Sequence, residues 1–167
     1  VDGASDVTLD STYDEYMFVF TDINPATDAA DFTFQVNATD GADYNDSAIT
    51  STVFRAYHRE NDNNASLDYV TGEDQAQGTA FQILASAIGN DADQSCAGEL
   101  HLFNPASTTY VKHFYARMSR YFPSGSGDGA GDHFAAGYIN DTTAIDDIQF
   151  KFSSGNFDGV IQMYGIS

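Results

Sequence analysis

A chain of 167 residues that carries six basic against twenty-five acidic side chains, for a formal net charge of −19, repels nucleic-acid phosphates and anionic membranes. Neither is expected as a partner; the acidic surface favours solubility, basic partners and divalent cations, and its plain reading is a highly soluble protein from a saline setting. The length suits one domain with a real core, and there is no run of about eighteen apolar residues to cross a membrane as a helix.

Residues 1–12, VDGASDVTLDST, are polar and unpatterned and read as an N-terminal arm, followed by one domain over 13–167. Glu15–Ile23 places Tyr16, Phe18 and Phe20 on one face of a strand and Met17, Val19 and Thr21 on the other. Two apolar faces point to a strand inside a sandwich or at a subunit contact. Asn24-Pro25-Ala26-Thr27-Asp28 is a turn by composition, and Phe32, Phe34 and Val36 line the next strand. Residues 37–50 read as a long acidic loop, Val53–Glu60 as a strand, and 60–66 as a turn. Thr79–Ile88 and Glu99–Phe103 read as strands around the polar stretch GNDADQSCAG. Tyr110–Tyr121 is the longest candidate, with Val111, His113, Tyr115, Arg117 and Ser119 opposite Lys112, Phe114, Ala116, Met118 and Arg120. A Gly/Ser tract over 124–131 reads as a long loop within the domain, and His133–Ile139 as a strand.

The last twenty residues, IQFKFSSGNFDGVIQMYGIS, set Ile148, Phe150 and Phe152 on one face, then a Ser-Ser-Gly-Asn turn, then a second apolar run over 160–166. Run, turn and run predict an antiparallel hairpin that closes the core, with Phe150 and Phe152 buried. Eight or nine strands, with aromatics at 14% and helix formers scarce, predict an all-β fold: a single antiparallel β-sandwich, jelly-roll-like.

Chemistry-bearing residues are sparse and scattered. Cys96 is the only cysteine, so no intrachain disulfide forms, and without a neighbouring histidine it reads as a small, partly buried filler. His58, His101, His113 and His133 share no metal-ligand spacing and read as individually satisfied. Asp128 and Asp132 in the Gly-rich tract, and Asp62, Asn63 and Asn64, resemble calcium turns too faintly to count as ligands. Sequons at Asn37, Asn45, Asn64 and Asn140 arise readily in a chain this rich in Asn, Ser and Thr. There is no nucleophile elbow. No catalytic, cofactor-binding or metal-ligating residue is therefore assigned, no cofactor is expected, and the chain is read as non-enzymatic. Five of the six basic residues, Arg55, Arg59, Lys112, Arg117 and Arg120, fall on two strands and their ends, which fits either internal salt bridges or contact with an acidic patch on a neighbouring copy.

Two stretches carry a family resemblance. Phe150–Ser167, FKFSSGNFDGVIQMYGIS, resembles the C-terminal signature of β-sandwich virion structural proteins of tailed bacteriophages, an F-x-F-S-S-G-N turn followed by an apolar strand ending in Y-G-I. Residues 13–37, with the turn Ile23-Asn24-Pro25-Ala26-Thr27-Asp28, resemble the first hairpin of the same family. The middle of the chain departs from the family too far for a residue-by-residue match. The resemblance implies a capsid decoration, tail or fibre protein acting with itself and with other virion proteins such as the major capsid protein. A homotrimer on the capsid surface is the expected form, because a fibre would place heptads or repeats ahead of the sandwich where only a dozen arm residues stand. The rival expectation is a carbohydrate- or receptor-binding module of a tail fibre. The lack of Trp weakens it, while Tyr44, Tyr57, Tyr69 and Tyr138 remain available to stack on a sugar.

Overall fold

The computed structural model describes residues 9–38, 44 and 47–167. Among them eleven strands form: β1 (Glu15–Pro25), β2 (Ala30–Ala38), β3 (Ile49–Arg59), β4 (Ala65–Tyr69), β5 (Ala76–Gly78), β6 (Gln82–Ile88), β7 (Cys96–Phe103), β8 (Lys112–Phe122), β9 (Gly129–Ile139), β10 (Ile145–Phe152) and β11 (Phe157–Ile166). An eight-stranded sheet runs β11-β1-β7-β8-β9-β3-β4, with β5 also paired to β3, and a three-stranded sheet runs β10-β2-β6. Every pairing is antiparallel. The fold is an all-β, antiparallel sandwich, as the alternation in the sequence predicts.

The aromatic side chains explain how the layers join. Tyr16, Phe18 and Phe20 of β1 turn inward from the large sheet, and Phe32 and Phe34 of β2 turn inward from the small one, all buried. Phe20 meets Phe32 edge-on at 5.2 Å, Phe150 meets Phe18 and Phe20 at 5.2 and 5.1 Å, and Phe34 meets Phe114 at 5.0 Å. Offset and edge contacts of this kind add specific attraction to the area they bury. Phe152 is buried at 3% exposure, while Phe150 is only half-buried against the core.

The closing hairpin does not form. β10 pairs with β2 in the small sheet and β11 pairs with β1 in the large one, so the Ser153–Asn156 turn carries the chain from one layer to the other. The turn after β1 does the same, because β1 and β2 also belong to different sheets. A local turn sequence sets how sharply the chain reverses, not which strand it then bonds. The two crossing turns lie together: the Ala26 N–H donates to the Asn156 carbonyl at 2.8 Å, and the Ser153 N–H to the Asp31 carbonyl at 2.8 Å.

Three smaller differences follow from short or irregular pieces. The strand count is eleven among the described residues rather than eight or nine, because β4 starts inside the expected 60–66 turn and β5 spans only three residues. Of the N-terminal arm, residues 1–8 lie outside the described residues, and Leu9 belongs to the core at 2% exposure, its N–H donating to the Asp146 carbonyl at 3.2 Å. Residues 39–43, 45 and 46 of the acidic loop, including Asn45, also lie outside them, and its ends belong to β2 and β3.

Candidate binding face

The inner face of the large sheet is the core; among the described residues no second layer packs on its outer face. Register lines up the outward side chains into rows that cross the strands. One row runs Gln162, Val19, Glu99, Arg117, Phe134, Phe54 and Tyr69, from β11 across β1, β7, β8, β9 and β3 to β4. The next row runs Ala97, Ser119, Asp132, Ala56 and Leu67. Small side chains in the second row beside large ones in the first leave a groove of about 610 Å³, lined among others by Val19, Glu99, Arg117, Ser119, Asp132 and His58.

Next to the groove, in the neighbouring row, the side chains form stacked planes. Phe54 and Phe134 lie parallel at 4.8 Å, and the Arg117 guanidinium sits 5.0 Å from the Phe134 ring centre. Arg117 also donates to both oxygens of Asp132, at 2.8 and 3.3 Å. Those hydrogen bonds, then the charges of Asp132 and Glu99, push the guanidinium above its usual range. On the same face His101 stacks on Tyr115 at 4.5 Å and hydrogen-bonds Glu15. Beyond the groove, Leu67 is 71% exposed and Tyr69 55%, and Val160, Tyr164, Tyr115 and Ile166 are exposed on the same face. What this face offers chemically is flat apolar and aromatic area with one fixed, hydrogen-bonding ionic cluster in its middle.

A second polar constellation lies between the layers. The segment after β4 folds under β3 and brings Glu73 to His133 of β9, with Oε2 3.3 Å from Nε2, and to Arg55 of β3 at 3.5 Å. Ser86 Oγ of β6 also lies 3.3 Å from His133 Nε2. Serine, histidine and acid are the components of a nucleophilic triad, but that mechanism needs serine and acid on opposite ring nitrogens. Here both meet Nε2, and Ser86 and His133 are buried, so the three form an internal polar brace. Burial pushes His133 below its ordinary value, against the pull of Glu73. Arg120 beside them is lowered to about 10 by burial and by Arg55, and donates to the Ala87 carbonyl at 3.0 Å.

The residues singled out from sequence are dispersed by the fold. His58 is exposed and bonds Asp62 at 2.9 Å, His113 is exposed beside Tyr138, and His101 and His133 are buried in separate places. Asp128 accepts from the Tyr121 hydroxyl at 2.5 Å and the Ser124 N–H at 2.9 Å, whereas Asp132 faces outward to Arg117. Cys96 is buried, and desolvation raises its thiol to about 12. The basic residues find partners within the chain. Arg59 donates to Ser124 and to the Gly127 carbonyl, and fully buried Lys112 donates to the Asp141 and Thr143 carbonyls. Of the four tyrosines, Tyr69 and Tyr138 share the outer face of the large sheet. Tyr57 instead packs edge-on against Phe122, and Tyr44 lies 6.4 Å from Phe81. The face-forming residues that the sequence reading passed over are Phe54, Leu67, Glu99 and Phe134. The one available signal was the alternation Ser66-Leu67-Asp68-Tyr69, short and embedded between polar turns. Comparison of the chain with protein-family models, with curated proteins and with solved structures finds no match.

Proposed function

We propose that this chain is a non-enzymatic structural protein of a bacteriophage virion, carried in several copies on the capsid surface as a decoration or cement protein. The observation that carries the reading is the uncovered outer face of the large sheet. On a chain of net charge −19, Leu67, Tyr69, Phe54, Tyr115, Val160 and Tyr164 are all exposed on that one face. Large apolar side chains exposed on both edges of one sheet face, around a central ionic cluster, mark it as a surface for protein contact, since each Å² left in water forgoes about 25 cal/mol. Support also comes from the two stretches that resemble virion proteins. They supply β1, nearly all of β2, the last three residues of β10 and all of β11, and they pair with each other, β1 with β11 and β2 with the end of β10, so the resemblance falls on one end of the sandwich.

Immunogold labelling of purified particles with antibodies to the chain tests the assignment. Gold over the capsid supports it, gold on the tail moves the protein there, and unlabelled particles overturn it. Deleting residues 1–8, which leaves core residue Leu9 in place, is expected to keep the sandwich folded and weaken its hold on the particle.

The groove favours a second reading, a glycan-binding module. A slot across five strands with Arg117, Asp132 and Glu99 in its wall and the stacked Phe54 and Phe134 in the adjoining row offers both the paired hydrogen bonds and the flat surface that sugars require. A glycan array that yields binding abolished by Phe54→Ala and Arg117→Ala would favour it over the structural role.

A further inference from the structure

A sandwich of two open sheets has four edges, and three of them are blunted. β4 is five residues long. β10 carries Asp146, Asp147 and Lys151. β6 bends at Ala87, whose φ is 48°, and there the Ala87 N–H is taken by Asp31 at 2.8 Å and its carbonyl by Arg120 at 3.0 Å. Short strands, charges and irregular backbone are how sheet edges avoid pairing with other chains. β11 has none of these over most of its length. It spans ten residues, FDGVIQMYGI, with Asp158 its single charge and no proline, and among the described residues it bonds only to β1. Its other side is a row of backbone donors and acceptors, flanked by exposed Val160 and Tyr164.

We propose that this edge pairs antiparallel with β11 of a second copy, about a two-fold axis at Gln162, joining two large sheets into one. The inference rests on the self-association in the reading above and gives it a contact. The backbone row requires a strand as the occupant, and the side chains select a second copy. With Gln162 opposite itself, Val160 faces the partner's Tyr164 and Ile161 faces the partner's Met163, so each aromatic or long side chain meets a branched one on the same face. Asp158 falls opposite the partner's Ile166, so no carboxylate faces another. Such a contact is isologous and two-fold; the three-fold assembly expected from sequence would need a different, head-to-tail contact.

Light scattering of the full chain at rising concentration, with paired substitutions in β11, tests this. Val160 and Tyr164 are exposed, so changing them leaves the core intact. The wild type is expected to double in mass. Val160→Lys with Tyr164→Lys sets like charges opposite each other across the axis, and the doubling is expected to disappear. Val160→Lys with Tyr164→Glu sets opposite charges there twice and is expected to restore it. Gln162→Cys is expected to give a covalent dimer under mild oxidation, and Asp158→Cys none. A wild type that stays monomeric overturns both the pairing and the self-association behind it. An assembly that survives the double lysine variant, or that gives no Gln162→Cys dimer, overturns the edge pairing and leaves the self-association standing.

Discussion

At the scale of single residues, burial decides what each side chain does. Phe152 touches Phe32 and Phe157 at ring-centre distances of 5.3 and 5.6 Å and is nearly sealed from water. Phe152→Ala removes those contacts in a core that cannot fully collapse, and is expected to cost ~3–5 kcal/mol in urea unfolding. His133 works through its charge state. Its folded pKa lies below the ordinary 6.5, chiefly because burial disfavours the imidazolium. The unfolded chain therefore takes up a proton first as pH falls, so the stabilisation is full above 6.5 and is lost as pH drops towards the folded value. Glu73 extends the loss to lower pH. Burial alone would raise its pKa, but hydrogen bonds from His133 and Ser86 and the charges of His133 and Arg55 bring it below 4.5. Its contribution is present above 4.5 and lost as pH falls through the folded value. Melting temperature against pH should thus fall from pH 6.5 downward. In His133→Gln the part of that fall that begins just below pH 6.5 is expected to flatten.

Elements show the same logic in their connections. β11 can lie against β1 only because the chain straightens after the crossing turn, and a register shift between Thr21 and Asn24 marks where it does so. Gly159 stands at that shift with φ of 139°, and a Cβ there would come within 2.6 Å of Ile23 Cδ1 and 2.8 Å of the Asp22 carbonyl oxygen. The oxygen belongs to backbone and has nowhere to go. Gly159→Ala is expected to destabilise the sandwich by on the order of 1–2 kcal/mol from the backbone conformation alone, with the clash added to it. Hydrogen exchange should show the loss first in β11, whose only strand partner among the described residues is β1, rather than in β8.

For the whole molecule, net charge is the dominant long-range term. Nineteen uncompensated negative charges on 167 residues repel one another more in the compact state than in the expanded chain. Raising ionic strength from 0.01 to 0.1 M shortens the screening length from about 30 to about 10 Å, within the width of a domain. Stability is expected to rise by roughly 1 kcal/mol over that interval, or about 2–4 °C in melting temperature. A melting temperature that is flat or falls with sodium chloride would show that the charges are already neutralised locally, as Arg117 and Asp132 neutralise each other.

The sequence by itself determined which residues face inward along most strands. Alternation is a property of neighbouring residues, so Tyr16, Phe18 and Phe20, or Phe114, Ala116 and Met118, declare their common side wherever the strand ends up. The same locality made an all-β sandwich legible without reference to any partner strand. Pairing was not legible, because a backbone hydrogen bond carries no record of its partner's place in the chain. Ile148–Ser167 reads as a hairpin until tertiary packing sends β10 to β2 and β11 to β1. The candidate face depended on it most of all. Glu99, Arg117, Phe134, Phe54 and Tyr69 are as many as 80 positions apart along the chain, between Phe54 and Phe134. They become neighbours only when the register of five strands is set, by the packing of side chains on the opposite, buried side of the sheet.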